Sequence, residues 1–309
     1  MMKKARLIVP AYNEEENISL FYQEAIKYLK YDDIEFDILY INDGSKDNTL
    51  SEIIKLSKID ESVKYISLSR NFGKEAAMHA GLESSKDKDF IIIIDCDLQQ
   101  PPHLITDMIK YYREGYKIVY TKSKSRKGEP KVRTFFANLF YKIYNAYTER
   151  PLDNGAKDFQ LMDKIVVDAF LKIKDNYRFI KGIFSWVGYP RKCIEYDFIP
   201  RQHGKSSWSF KSLVKYAFNG MNQFSTILLV LPVMFFFLGI ALVGLDLVLY
   251  FTSVVSLSTM ILTLHMSLVV LVMSIFAYVT IYILYSNRKQ IMNRPIYLVE
   301  ETSEDINIG

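Results

Sequence analysis

Phe90-Ile91-Ile92-Ile93-Ile94-Asp95-Cys96-Asp97-Leu98-Gln99-Gln100-Pro101-Pro102 is an unbroken apolar run that ends in two carboxylates and a proline pair. Five apolar residues without polar alternation read as a strand buried on both faces, as in a parallel sheet. The prolines read as its exit. Side chains alternate along an extended chain, so Asp95 and Asp97 share one face and Cys96 points the other way. Two carboxylates at a strand end suit a hard divalent cation, which in turn grips phosphate oxygens. The alternative is an ordinary acidic loop after a core strand.

Working outward, strand-like and helix-like segments alternate. Arg6–Val9 reads as a strand ending at Pro10-Ala11-Tyr12-Asn13. Glu14–Lys30 carries Ile18, Phe21, Ala25, Ile26 and Leu29 on one helical stripe. Asp37–Ile41 is a second strand, Thr49–Ser57 a helix, Val63–Leu68 a third strand and Glu75–Ser84 a helix. After Phe90–Ile94 come a helix at Met108–Glu114 and a strand at Lys117–Tyr120. This order predicts an α/β domain with a mainly parallel sheet covered on both faces. Ligands bind such sheets at the carboxyl ends of the strands. Pro10–Glu14, Asp43–Ser45, Arg70–Lys74 and Asp95–Gln99 all follow strands, so they are expected to converge on one cleft.

The chain has 309 residues, half of them hydrophobic, so a large core is available and global disorder is excluded. Two cysteines, Cys96 and Cys193, offer neither a disulfide framework nor zinc spacing, and suit the cytosol as thiols. The basic start Met1-Met2-Lys3-Lys4-Ala5-Arg6 precedes an apolar stretch that stops at Pro10, which does not read as a secretory leader. The net charge of +4 is unevenly placed: residues 224–285 hold one acid, Asp246, and no Lys or Arg.

That charge-poor region contains Thr226–Leu245 and Met260–Leu284, each long enough to cross a bilayer's hydrocarbon core of about 30 Å. Lys211 and Lys215 precede the first run, Arg288, Lys289 and Arg294 follow the second, and the connector Ser253–Thr259 has no cation. The positive-inside rule predicts two transmembrane helices with both outer flanks in the cytosol. Ser206–Phe224 places Trp208, Phe210, Leu213, Val214, Ala217, Phe218 and Met221 on an apolar face beside Lys205, Lys211 and Lys215, which predicts an amphipathic helix on an anionic membrane surface. Upstream, residues 122–133 carry six cations and one acid, which suits either a solvated linker or an anion-binding lid.

Five motifs occur in order: Val9-Pro10-Ala11-Tyr12-Asn13-Glu14-Glu15, Asn42-Asp43-Gly44-Ser45-Lys46-Asp47, Ser69-Arg70-Asn71-Phe72-Gly73-Lys74-Glu75, Asp95-Cys96-Asp97-Leu98-Gln99 and Lys157-Asp158-Phe159-Gln160-Leu161-Met162-Asp163. Together they resemble glycosyltransferase family 2 with its GT-A fold. More closely the chain resembles the polyprenyl-phosphate glycosyltransferases, which include dolichyl-phosphate mannose synthases and bacterial undecaprenyl-phosphate glucosyltransferases. The resemblance covers about residues 5–225. The family's usual Asp-Ala-Asp-Leu-Gln-Asp appears here with Cys96 and Gln100 in place of Ala and the last Asp.

The resemblance implies a role for each motif. Asp43 accepts hydrogen bonds from the donor's nucleobase or ribose in a pocket lined by Pro10, Tyr12 and Glu14, and Arg70 and Lys74 contact the nucleotide. Asp97 and Gln99 ligate Mg²⁺ or Mn²⁺, with Asp95 on the ribose or in the metal shell. Arg126 and Arg133 clamp the acceptor phosphate, Arg201 reaches the donor diphosphate, and Asp158 orients the sugar or acts as a base. The expected layout is a catalytic domain at 1–203 with an acceptor loop at 122–133, a juxtamembrane helix at 204–224, two spans within 225–286 and a cytosolic tail at 287–309.

The implied reaction is an inverting transfer of one hexose from a nucleotide sugar to undecaprenyl phosphate at the inner face of a bacterial membrane. UDP-glucose comes first as donor, UDP-N-acetylglucosamine second and GDP-mannose third. Dinucleotide-fold and P-loop fingerprints are absent, as is the Gln-x-x-Arg-Trp signature of processive synthases. No nucleic-acid partner is expected, and helix packing offers a route to a homo-oligomer. Two alternatives stay open: transfer to a hydroxyl on a glycan or protein, and a non-catalytic membrane scaffold.

Overall fold

The computed structural model describes residues 2–124, 131–148, 150–173, 179–197, 199, 217–221, 223–224, 233–241, 248, 255–291 and 294–303; the side chains of 131–133, 255–260, 263–264, 267 and 288–290 fall outside that description. Arg126, Arg201, the rest of the basic loop at 125–130 and most of the expected juxtamembrane helix and first span also lie outside the described residues.

Eight strands form one sheet: β1 (Lys3–Ala11), β2 (Ile34–Asn42), β3 (Val63–Leu68), β4 (Phe90–Ile93), β5 (Ile118–Ser123), β6 (Ala156–Asp163), β7 (Arg191–Tyr196) and β8 (Val299–Thr302). Their order is β7-β5-β6-β4-β1-β2-β3-β8. β1 to β4 are mutually parallel, and β5 and β7 run the same way; β6 and β8 are antiparallel to their neighbours.

The helices with both ends among the described residues include α1 (Ile18–Ala25), α2 (Thr49–Ile59), α3 (Lys74–Glu83), α4 (Leu104–Arg113), α5 (Lys131–Ala146), α6 (Lys164–Lys172), α7 (Ile180–Trp186) and α8 (Val255–Ile291). Phe90 and Ile92 face a layer containing Phe21, Ile53, Ile105 and Met108 from α1, α2 and α4. Ile91 and Ile93 face the opposite layer, with Ala77, Val166 and Ile183 from α3, α6 and α7. Burial on both faces explains the unbroken apolar run, since each fully buried Ile contributes about 1.5–3 kcal/mol.

Several expectations change. The strand at Phe90–Ile94 ends at Ile93. The helix expected from Glu14 to Lys30 is confined to Ile18–Ala25 plus a 3₁₀ turn at Ile26–Tyr28, because residues 12–17 are held as a loop by the β2–α2 segment. β6, β7 and β8 were not foreseen: β6 is antiparallel, and β8 is a short edge strand from the distant C-terminal segment.

The expected cytosolic tail supplies this edge strand. β8 pairs with β3, Ser69 N–H donates to Leu298 O at 2.9 Å and Tyr297 Oη donates to Glu83 at 2.7 Å. Two residues of the expected juxtamembrane helix make contacts: Gln223 Oε1 accepts from Phe179 N–H at 2.9 Å, and Phe218 packs edge-on to Tyr282 of α8 at 4.9 Å. Among the described residues one stretch, Leu268–Asn287 in α8, is long and apolar enough to cross a membrane.

Candidate active site

Four loops meet at the carboxyl ends of β1 to β4. The first and second interlock through polar side chains. Asn13 N–H donates to Ser45 Oγ at 3.0 Å, Lys46 N–H to Asn13 Oδ1 at 2.9 Å, and Glu14 N–H to Thr49 Oγ1 at 2.8 Å. Asn13 has φ 54°, a left-handed conformation that Asn tolerates. Pro10 is buried on β1, Tyr12 is half-buried, and the Glu14 carboxylate accepts from Asn17 Nδ2 at 2.6 Å.

Asp43 ties the second loop to the third. Its two carboxylate oxygens accept from Phe72 N–H at 2.7 Å and Gly73 N–H at 2.9 Å. The group is 3% exposed, and burial raises its pKa to about 6 despite those two bonds and the nearby Arg70 charge. Gly44 has φ 61°, and a Cβ there would meet Arg70 Cα and Asn71 N at 2.6 Å. The loop crossing therefore requires glycine. Arg70 is exposed, with its guanidinium 4.0 Å over the Phe72 ring.

The fourth loop carries the two carboxylates. Leu98, between Asp97 and Gln99, has φ 55°, which costs a non-glycine residue about 1–2 kcal/mol. That turn lets Asp97 Oδ1 accept Gln99 N–H at 3.1 Å. Cys96 is 2% exposed in the core, while Asp95 and Asp97 are half-buried; the strand has ended at Ile93, so strand alternation does not reach these residues. Gln100, the departure from the usual motif, braces Asp95: its Nε2 donates to Asp95 Oδ2 at 3.1 Å.

Lys74, at the start of α3, joins this turn to β6. Its ammonium lies 2.6 Å from Asp95 Oδ1 and 2.7 Å from Asp158 Oδ2. Burial disfavours the charge on Lys74, but Asp158 and Asp95 outweigh it and raise the pKa. Burial likewise opposes ionisation of Asp158, yet Lys74 and Lys181 hold its carboxyl well below the usual range. Asp158 is thus an ion-paired anion near neutrality.

Sequence reasoning missed Lys181, Gln100 and Tyr196. Lys181 lies 3.9 Å from Asp158, and Tyr196 is buried with its pKa raised by burial and by the fields of Asp95 and Asp97. A single cation in the apolar run Phe179–Phe184 was the available signal for Lys181. Arg133 falls in α5, its side chain outside the described residues.

The sequence model of glycosyl transferase family 2 matches residues 7–171. The chain belongs to this family. It is accordingly a glycosyltransferase. An uncharacterized glycosyltransferase of Synechocystis sp. is 39% identical over 219 residues, covering 71% of this chain and 69% of the relative. A bactoprenol glucosyl transferase of Shigella phage SfV is 36% identical over 223 residues, covering 72% of each. Among solved structures, glucosyl-3-phosphoglycerate synthase from Mycobacterium tuberculosis with Mn²⁺, UDP-glucose and phosphoglyceric acid overlaps 71% of this chain and 78% of its own, at 15% identity and TM-score 0.46.

A family 2 metal site can be tested against the donor atoms present. Among the described residues no three His, Cys, Asp or Glu cluster as a metal cage. Asp97, Asp95 and the Gln99 amide nonetheless offer the oxygen ligands that a hard divalent ion takes alongside substrate phosphates. The donor chemistry fits.

Proposed function

We propose that the protein transfers one hexose, with inversion, from a nucleotide sugar to undecaprenyl phosphate at the cytoplasmic face of a bacterial membrane. UDP-glucose is the favoured donor, with UDP-N-acetylglucosamine next. The observation that carries the reading is the Asp95–Lys74–Asp158 bridge beside the Asp97–Gln99 turn, at the strand ends where ligands of such sheets bind. Relatives named bactoprenol glucosyl transferase support glucose as the sugar and a polyprenyl phosphate as the acceptor.

In this reading Pro10, Tyr12, Glu14, Asp43 and Arg70 form the nucleotide side, and Arg201 reaches the diphosphate. Asp97, Gln99 and Asp95 would hold Mg²⁺ or Mn²⁺, whose charge offsets that of the departing diphosphate. Asp158 orients the sugar. The lipid phosphate is already anionic, so it needs alignment by Arg126 and Arg133 rather than deprotonation. Its oxygen bonds to the anomeric carbon as the bond from that carbon to the nucleotide's terminal phosphate oxygen breaks. The product is a lipid-linked sugar for a wall or surface polymer.

Two transmembrane helices are part of the proposal. α8 exposes Val270, Leu271, Met273, Ile281 and Leu284, unlike the core helix of a soluble domain. β8, beyond α8, lies in the same sheet as β1 to β7. A chain that crosses a bilayer in α8 must therefore cross an even number of times between Tyr196 and Val299, and Thr226–Leu245 is the matching run. Both ends of the domain then stay on the cytoplasmic side.

Purified protein incubated with Mg²⁺, undecaprenyl phosphate and each labelled donor tests the function. Asp97→Ala is expected to abolish transfer and Cys96→Ala to retain it; equal activity in the two variants would remove the metal assignment. Transfer to a hydroxyl acceptor that persists after Arg126 and Arg133 are neutralised would remove the lipid-phosphate acceptor.

A further inference from the structure

α7 carries one cation, Lys181, in an otherwise apolar first turn. Lys181 Nζ donates to Ala156 O at 2.9 Å and stands 3.9 Å from Asp158 Oδ1. The second distance is too long for a hydrogen bond. Asp158 already has its counter-ion in Lys74, at 2.7 Å. A lysine that served only to neutralise Asp158 would close on it as Lys74 does.

The backbone around Lys181 is held from two sides. Ile180 N–H donates to Glu75 Oε1 of α3 at 3.1 Å. Gly182 packs under Phe224, where a Cβ would lie 2.6 Å from the ring. The ammonium is therefore positioned by α3, by β6 and by the membrane-proximal segment.

Lys181 and Asp158 line a common, solvent-open cleft together with Tyr120, Gln160, Ser185 and Arg191. Their side chains are 26% and 22% exposed. A donor group and an acceptor group thus stand side by side, too far apart to satisfy each other. Two hydroxyls on adjacent sugar carbons present the complementary pair, one oxygen to accept and one O–H to donate.

We propose that Lys181 is a specificity-determining residue for the donor hexose: it donates to one oxygen of a vicinal diol while Asp158 accepts from its neighbour. The inference rests on the proposed placement of the donor sugar at Asp158. It commits the site to a hexose with two free adjacent hydroxyls.

The test compares wild type, Lys181→Met and Lys181→Arg, using UDP-glucose, its 2-, 3- and 4-deoxy analogues, and UDP. With UDP-glucose, Lys181→Met is expected to lose about 10- to 100-fold in kcat/KM, the worth of one charge-assisted hydrogen bond. KM for undecaprenyl phosphate and affinity for UDP stay at wild-type values. With one deoxy donor the variant's deficit shrinks to within about threefold, because the oxygen that Lys181 grips is missing in both cases. Lys181→Arg recovers part of the activity.

An equal deficit on every deoxy donor overturns the role, as does a raised KM for the lipid phosphate. Should Lys181→Met lose UDP binding, Lys181→Gln, which keeps a donor, decides by the same comparison. Wild-type turnover separates the two levels of inference. No wild-type product overturns the function and the role of Lys181 together. Wild-type product with an unchanged Lys181→Met donor profile overturns Lys181 alone.

Discussion

Asp43→Asn is expected to flatten the pH dependence of donor binding while weakening the binding itself. In the wild type, burial raises the Asp43 pKa from 3.8 to about 6. The ionised carboxylate accepts both loop amides, of Phe72 and Gly73. Protonation turns one of those oxygens into a donor and loosens the loop. Donor binding that requires the ionised form then falls about tenfold for each pH unit below the pKa, so affinity at pH 5 is about tenfold below that at pH 8. Stability moves the other way. The folded protein retains a proton that the unfolded chain has lost between about pH 4 and 6, so this group's contribution falls by about 3 kcal/mol as pH rises through that window.

Asn keeps one carbonyl acceptor but presses an NH₂ group against the second amide. Its affinity should be lower by about 1–2 kcal/mol and level with pH. Titration calorimetry with UDP-glucose provides the assay, because its diphosphate is a diester without the ionisation near pH 6 that UDP shows. A wild-type curve that is flat from pH 5 to 8, or a variant that keeps the wild-type slope, would refute the reasoning.

Three further perturbations test the frame around the site. Lys74→Met removes two ion pairs whose members are about a quarter exposed, and should cost about 2–4 kcal/mol, read as a melting temperature lower by several degrees; an unchanged melt counts against the bridge. Gly44→Ala forces a Cβ into the Arg70–Asn71 backbone and should lower donor affinity more than tenfold, measured by the same calorimetry; near-wild-type binding would mean that the loop crossing is not tight. A chain ended after Ile296 leaves the edge of β3 unpaired, so size-exclusion chromatography in detergent should show self-association and thermal melting an earlier transition; a monodisperse, equally stable product would deny β8 a structural role.

The parallel half of the sheet was legible because its strands are buried on both faces. Ile38–Ile41 and Phe90–Ile93 each pack side chains into both helical layers, so their apolar runs could not be mistaken for amphipathic helices. The antiparallel and edge strands were not legible. β6 reads Ala-Lys-Asp-Phe-Gln-Leu-Met-Asp, a mixed pattern whose pairing with β4 and β5 comes from chain segments far away in sequence. β8 is only four residues long and half-exposed, and nothing local distinguishes it from a tail. Glu14–Glu16 had the composition of a helix start, but the N–H groups of Asn13, Glu14 and Glu15 donate to Ser45, Thr49 and Asp47 and hold the stretch as a loop.

The site divides in the same way. Residue order alone determined that Asp43, Arg70–Lys74 and Asp95–Asp97 would meet, because each follows a parallel strand and strand ends share one edge of the sheet. Only the tertiary structure decided which charges pair. Lys74 bridges Asp95 and Asp158 although the partners are 21 and 84 residues away, and Lys181 comes to Asp158 on a helix whose position is set by α3 and Phe224. Periodicity reports burial, which each residue carries locally. Ion-pair choice depends on distances of a few ångströms between separate elements, which are set by packing across the whole fold.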